Sequence, residues 1–272
     1  MLISYGDDSS DQTKRRVFAA SLVAGTVEEW GSFSSAWLAR NGERPFHATD
    51  CDSDQGAFRE TDHHSNKKLY ADNVGLFARS SLMGAGVAIS IADYREVFPF
   101  APSEEWEYYM CLSGAIACMA NIARLLIPPQ TLRVTFDQNK GREYNSRKIY
   151  EFISGGESPL AGILDGGISF ADHRADVGLQ LADLLAREAM KELDNRLPPV
   201  ARWPRQSLIE LRRTKRFECV SYDREKLVEH RLKADAIHAN PEKGVAYEKW
   251  RGEQKLKDSI QARLQYHIAK SA

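Results

Sequence analysis

Four aspartates stand where the sequence itself gives them a direction. Leu2 to Asp8 alternates as a strand, with Ile3, Tyr5 and Asp7 on one face and Leu2, Ser4, Gly6 and Asp8 on the other. Asp7 and Asp8 therefore point to opposite sides, and only one can join a given site. Taken alone, the stretch also reads as a solvated Asp-Asp-Ser-Ser turn between two hairpin strands. Thr131 to Asp137 alternates again and ends on Asp137, at the C-terminal end of a strand, where open α/β sheets place their ligands. Asp172 follows a short predicted strand ending near Ala171, and Asp183 lies on a helix predicted over Asp176 to Leu193. At about 100° per residue, Asp176, Gln180, Asp183 and Arg187 share a narrow stripe, while Val177, Leu181, Leu184 and Leu185 take the other side. If Asp7, Asp137, Asp172 and Asp183 meet, they repel and raise one another's pKa unless a cation neutralises them. Oxygen donors of this kind suit Mg²⁺ or Mn²⁺, and two such ions about 4 Å apart can activate water and stabilise the leaving oxygen of a phosphodiester.

The elements that must position these acids are readable in order. Arg15 to Gly25 reads as the second strand of a hairpin, and Val27 to Asn41 as a helix with Trp30, Phe33, Trp37 and Leu38 at helical spacing. Phe46 to Cys51 reads as a short strand, Asn66 to Ser80 as a helix and Gly84 to Ala92 as a buried strand. Ser103 to Leu126 reads as a long helix stopped by Pro128 and Pro129, and Glu143 to Ile153 as the next. A chain of 272 residues, 43% hydrophobic, can bury one large core. The apolar window Cys111 to Ile127 carries Ser113, Asn121 and Arg124, which indicates a buried helix rather than a membrane span. Cys51, Cys111, Cys118 and Cys219 show no CxxC spacing, and the N-terminus shows no signal-like basic and apolar run. The expectation is a cytoplasmic protein with reduced thiols.

Three short motifs resemble those of the domain-of-unknown-function 3800 family: Tyr5-Gly6-Asp7-Asp8-Ser9, the strand end Phe136-Asp137, and Leu179-Gln180-Leu181-Ala182-Asp183. That family is similar to the ribonuclease H-like superfamily, which binds metal through acids on a first strand, a fourth strand and a closing helix. The resemblance spans roughly residues 1 to 195 in the same order. It implies that Asp7 is the first-strand acid, Asp137 the acid after the fourth strand and Asp183 the helix acid, with Asp172 matching a less regular acid ahead of the helix. Asp8 stands where the family has Glu, and Ser10 where it has Gly.

Other chemistry is less well supported. His47 and Asp50 lie three apart after the short predicted strand, near enough in sequence to join a site or merely to hydrogen-bond within a loop. No His or Cys set has zinc spacing, and Ser9 lacks a Gly-x-Ser-x-Gly elbow. The charge is uneven: residues 201–272 hold 17 Lys and Arg against 10 Asp and Glu, which leaves residues 1–200 with 20 against 28. Arg212, Arg213, Lys215 and Arg216 form the densest basic patch and are candidates for nucleic-acid phosphates. Leu208 to Phe217, Arg224 to Ile237 and Val245 to Ile268 all read as helices, which could also hold two copies of the chain together.

The expected fold is an α/β, ribonuclease H-like mixed sheet flanked by helices over residues 1–199, with a basic helical C-terminal extension over residues 200–272. The expected function is metal-dependent phosphodiester hydrolysis of DNA or RNA. A noncatalytic nucleic-acid- or protein-binding member of the same fold is the alternative, and hydrolysis of a small phosphate ester is a third reading.

Overall fold

The computed structural model describes residues 1–239 apart from 12, 14, 100–105, 139–140, 156–157, 159 and 200. The chain divides into two compact units, Met1–Arg224 and Glu225–Ala272. The second is described only as the helix that runs Arg224–Ala239. The helix expected over Val245 to Ile268 lies outside the described residues.

The first unit is built on a six-stranded sheet. Strand β1 (Leu2–Ser10) and strand β2 (Val17–Gly25) form the expected hairpin, and all nine residues of β2 are buried. The turn between them begins only at Asp11, whose carboxylate accepts the backbone N–H groups of Thr13, Arg15, Arg16 and Val17. Asp7 and Asp8 therefore lie inside a strand, and the solvated-turn reading is set aside. Helix α1 (Val27–Asn41) starts with a capping box between Thr26 and Glu29 and buries Trp30, Phe33 and Trp37. Helix α2 (Ala48–Ser53) replaces the strand expected at Phe46 to Cys51. Helix α3 (His63–Arg79), capped by Asp62, leads into strand β3 (Met83–Ser90) and the short helix α4 (Ile91–Val97). Helix α5 (Trp106–Leu125), strand β4 (Leu132–Asp137), helix α6 (Glu143–Ser154), strand β5 (Ser169–Ala171) and helix α7 (Val177–Arg196) follow largely as their patterns predict.

The C-terminal part departs from expectation. Helix α8 (Gln206–Arg213) ends before the turn at Lys215, which has a φ of 56°. Strand β6 (Phe217–Tyr222) then pairs parallel with β3. Residues up to Arg224 thus belong to the sheet unit, and the boundary expected at 199/200 moves to 224/225.

The strand order is β5-β4-β1-β2-β3-β6. β1 is antiparallel to β2, and β2 to β3, whereas β4 runs parallel to β1 and β5 parallel to β4. Helix α5 packs against β2 and β3, and α7 against β1, β2 and β3. Alternation separates the two faces: Val87 of β3 meets Gly114 of α5, while Gly84 and Gly86 meet Leu185 and Ala189 of α7. Gly178, in the first turn of α7, lies so close to β1 that a Cβ there would sit 2.2 Å from the Tyr5 ring. That ring is held edge-on by Trp30 at a centroid distance of 4.9 Å, so it has little room to yield. Gly178→Ala is expected to cost about 1–3 kcal/mol by forcing helix and strand apart. A urea titration should show a lower midpoint with an unchanged slope, and an unchanged midpoint would mean that Tyr5 swings away freely.

Candidate active site

Three of the four expected acids come to one face of the sheet. Gly6 of β1 is in register with Phe136 of β4, so Asp7, inside β1, and Asp137, at the end of β4, follow side by side. Across β2, Asp7 faces Ser21, whose hydroxyl donates to the Ala182 carbonyl of α7 at 2.7 Å. The next residue on that helix is Asp183. Asp183 and Asp7 are 3% and 8% exposed. Burial pushes the Asp7 carboxyl well above the usual carboxylate range, and the nearby Asp183, Asp8 and Asp137 add to it. A hydrogen bond from the Asp8 N–H to Asp7 Oδ1, 2.7 Å, offsets only part of this. Burial also raises Asp183, against the pull of His47, the Ala48 N–H, His173 and Arg187.

Asp8 turns to the opposite face, as alternation predicts, where its charge is felt by Tyr108 and Cys111 of α5. Asp172 borders the cluster, its Oδ1 3.9 Å from His173 Nδ1, rather than joining the other three acids as expected. Its carboxylate is 42% exposed and grips the Arg174 guanidinium at 2.8 Å, while its Oδ1 accepts the Arg174 N–H at 2.9 Å. Those contacts pull its pKa down to about 2. An acid two residues before an arginine at the mouth of a helix is captured locally.

Two histidines complete the cluster. His173 Nδ1 lies 3.4 Å from Asp137 Oδ1, and the same oxygen accepts the His173 backbone N–H at 3.0 Å. Its pKa is raised, chiefly by the hydrogen bond to Asp137. His47 Nδ1 lies 3.1 Å from Asp50 Oδ2, and its Nε2 is 4.0 Å from Asp183 Oδ2. The two imidazole rings are 5.7 Å apart.

Gln180 explains how these loops are held. Its Oε1 accepts the Trp37 indole N–H and the Phe46 backbone N–H, both at 3.0 Å, and its Nε2 donates to the His173 carbonyl at 3.2 Å. One amide thus fixes both histidine-bearing loops, one turn before Asp183. Asp183 Oδ2 accepts the Ala48 N–H at 2.6 Å, which is why the segment after His47 turns into a helix rather than running on as a strand. His173 did not stand out in the sequence, whereas Gln180 did, in the polar stripe and beside Asp183 in the Leu179–Asp183 motif.

Among the described residues, no three His, Cys, Asp or Glu side chains converge closely enough to hold a metal ion as they stand. Among them, too, no helix is long and apolar enough to cross a membrane. All four cysteines are free. The basic patch lies at the far side of the sheet, with β2 and β3 between β6 and β1. There Arg212 is committed to an ion pair with Glu192, while Arg213 and Arg216 are exposed.

The strand order and directions, a mixed sheet flanked by helices, fit a ribonuclease H-like α/β fold. No family model and no curated protein matches the sequence. Among solved structures, the chain is similar to one in the PCNA:RNase HII complex from Archaeoglobus fulgidus, with 10% identity and a TM-score of 0.40 over 81% of this chain and 94% of that one. It is also similar to ribonuclease H2 from Pyrococcus horikoshii OT3, with 9% identity and a TM-score of 0.42 over 79% of this chain and 99% of that one.

Proposed function

We propose that the protein hydrolyses phosphodiester bonds of nucleic acid with the help of a divalent cation, Mg²⁺ or Mn²⁺. The observation that carries this reading is the burial of Asp7 and Asp183 together, on two rigid elements, with Asp137 beside them. Buried like charges are costly, and a hard cation among carboxylate oxygens removes that cost. The donor set fits such an ion in chemistry, and Asp7, Asp137 and Asp183 are the residues that would hold it. Bound there, the cation would supply Lewis-acid polarisation of the phosphate and a water of lowered pKa. The protein supplies the rest. His173 keeps a proton on Nδ1 toward Asp137, leaving Nε2 to exchange a proton with the reacting groups. His47, oriented through Nδ1 by Asp50, keeps Nε2 toward Asp183, and Gln180 fixes the height of both rings. Trp37 and Phe46 wall the cluster from the core side and exclude water there.

One observation favours the noncatalytic alternative: Asp183 Oδ2 is already engaged by the Ala48 N–H. Thermal melting with millimolar Mn²⁺ or Mg²⁺ separates the readings. Ligand at about 100-fold over its Kd stabilises by about 2.7 kcal/mol, so the parent should melt about 5–10 °C higher with metal, and Asp183→Asn should lose the shift. Cleavage of labelled oligonucleotides should be lost in the same variant. No metal shift, or cleavage that survives Asp183→Asn, would reject the catalytic reading.

A further inference from the structure

A cleft of about 580 Å³ opens beside the C-terminal half of α7, apart from the carboxylate cluster. Its lining includes the cations Lys67, Lys191, Arg202 and Arg205 against the acids Asp52 and Glu210. Asp52 is already neutralised: it accepts from Lys67 at 2.8 Å, Arg187 at 3.0 Å and Arg205 at 2.9 Å. Arg205 lies over the Tyr70 ring, 5.1 Å from its centroid, and forms a fixed floor. The remaining cations are less well matched. The closest carboxylate to Lys191 is Asp194, at 3.8 Å, and that carboxylate accepts Arg16 Nε at 3.0 Å. Arg202 is anchored by its backbone N–H on the Asn195 carbonyl, and among the described residues no carboxylate pairs with its guanidinium. Next to it Trp203 is 92% exposed, although its own carbonyl is tied to Asn195 Nδ2 at 3.4 Å. An open-faced indole on a tethered backbone, lining the same cleft as two under-paired cations, is the arrangement that stacks an unpaired base and holds the adjoining phosphate.

We propose that this cleft binds single-stranded nucleic acid, one base stacked on Trp203 and the neighbouring phosphate held by Lys191 and Arg202. The proposal rests on the reading of the protein as a nucleic-acid phosphodiesterase and adds where the strand runs. Lys191 is eight residues beyond Asp183 on one helix, about 12 Å along its axis. That separation is short enough for a strand a few nucleotides long to reach from the cleft to the carboxylates. The cleft is favoured over the patch around Arg212, because Arg212, on the same helix α8 that lines the cleft, is already paired with Glu192.

The test is binding without turnover. Fluorescence anisotropy of a labelled oligothymidylate of about twelve nucleotides, in EDTA, is compared for the parent, Trp203→Ala, Lys191→Gln and Arg202→Gln. Trp203→Ala should weaken binding about tenfold. Each charge variant should weaken it and lower the slope of log K against log salt by about 0.7. Because all three side chains are peripheral to the core, unchanged melting temperatures should accompany the losses. Parent-like affinity in all three variants, a preference for duplex over single strand, or no binding by the parent would each overturn the proposal. The readout needs neither metal nor hydrolysis. Losses here together with no cleavage anywhere would leave the cleft standing and reject only the catalytic reading.

Discussion

Asp7→Asn is expected to abolish hydrolysis and, at the same time, to make the metal-free protein more stable. Asp7 sits on the first strand facing Asp183, and both carboxylates are buried. Under the proposed function a cation held there would be worth several kcal/mol to the transition state, so losing Asp7 as one of its ligands should cost on the order of a thousandfold in rate. In the absence of metal the same carboxylate is a burden, because burial and the neighbouring acids Asp183, Asp8 and Asp137 all disfavour its charge. Asparagine keeps the shape and still accepts the Asp8 N–H, but removes the repulsion. In EDTA near neutral pH the variant should gain at least about 1 kcal/mol, which raises the melting temperature by about 2–4 °C for a chain of this size. With Mn²⁺ the order should reverse, since only the parent can bind the ion. A variant that melts lower than the parent in EDTA would show that Asp7 has a structural partner, and one that still cleaves would remove it from the site. Stability sacrificed at one place for function is a general signature of active sites.

The carboxylates were legible because each sits on an element whose period can be read locally. Alternation over six or seven residues gives the faces of Asp7 and Asp137, and a helical stripe that of Asp183, whereas their meeting was implied only by the family resemblance. His47 was legible only as a candidate for the site or for a loop hydrogen bond, and His173 was not legible at all, because their positions depend on contacts far apart in sequence. Gln180 reaches Trp37 and Phe46 across 143 and 134 residues, and nothing local says that an amide will bridge those loops. The α2 segment shows the same physics: the propensity of Phe46 to Cys51 favours a strand, and a single N–H to the Asp183 carboxylate decides otherwise. Asp172 was misplaced for the opposite reason. Its fate is set locally, by Arg174, while expectation drew it into the cluster it borders. Helix α7 buries Gln180, Asp183, Arg187 and Glu188, because α1, α2 and α8 pack along it and Tyr70 of α3 donates to Glu188. The narrowness of its polar stripe, bordered by Leu179, Ala182, Ala186 and Met190, fits a helix packed on both sides.

The partners of that stripe support the other large effect. Asp52, at the C-terminal end of α2, accepts from Arg187, Arg205 and Lys67, and Arg205 also lies 3.3 Å from Glu188, which accepts the Tyr70 hydroxyl at 2.7 Å. Asp52→Ala would leave the Arg187 guanidinium, 8% exposed, beside that of Arg205 with its closest counter-charge gone. Breaking a buried pair from one side costs about 3–5 kcal/mol, so the melting temperature should fall by about 10 °C. The effect has a definite pH window. Burial alone would push the Asp52 carboxyl up, but hydrogen bonds and charge from Arg205, Lys67 and Arg187 outweigh it and hold its pKa well below the usual carboxylate range. A depressed folded value means that the stabilisation is complete above the unfolded pKa of about 3.9 and is lost as pH falls through the folded one. Urea midpoints of parent and Asp52→Ala should therefore differ most at neutral pH and approach each other below about pH 4. A difference that stays constant into acid would assign the loss to packing rather than charge. Because Arg187 stands one helical turn after Asp183 and Asp52 two residues after Asp50, the same variant should also slacken the two segments that aim Asp183 and His47 at each other. The expected sign is a fall in cleavage rate at temperatures well below the melting point of the variant, which a merely global loss of stability would not produce.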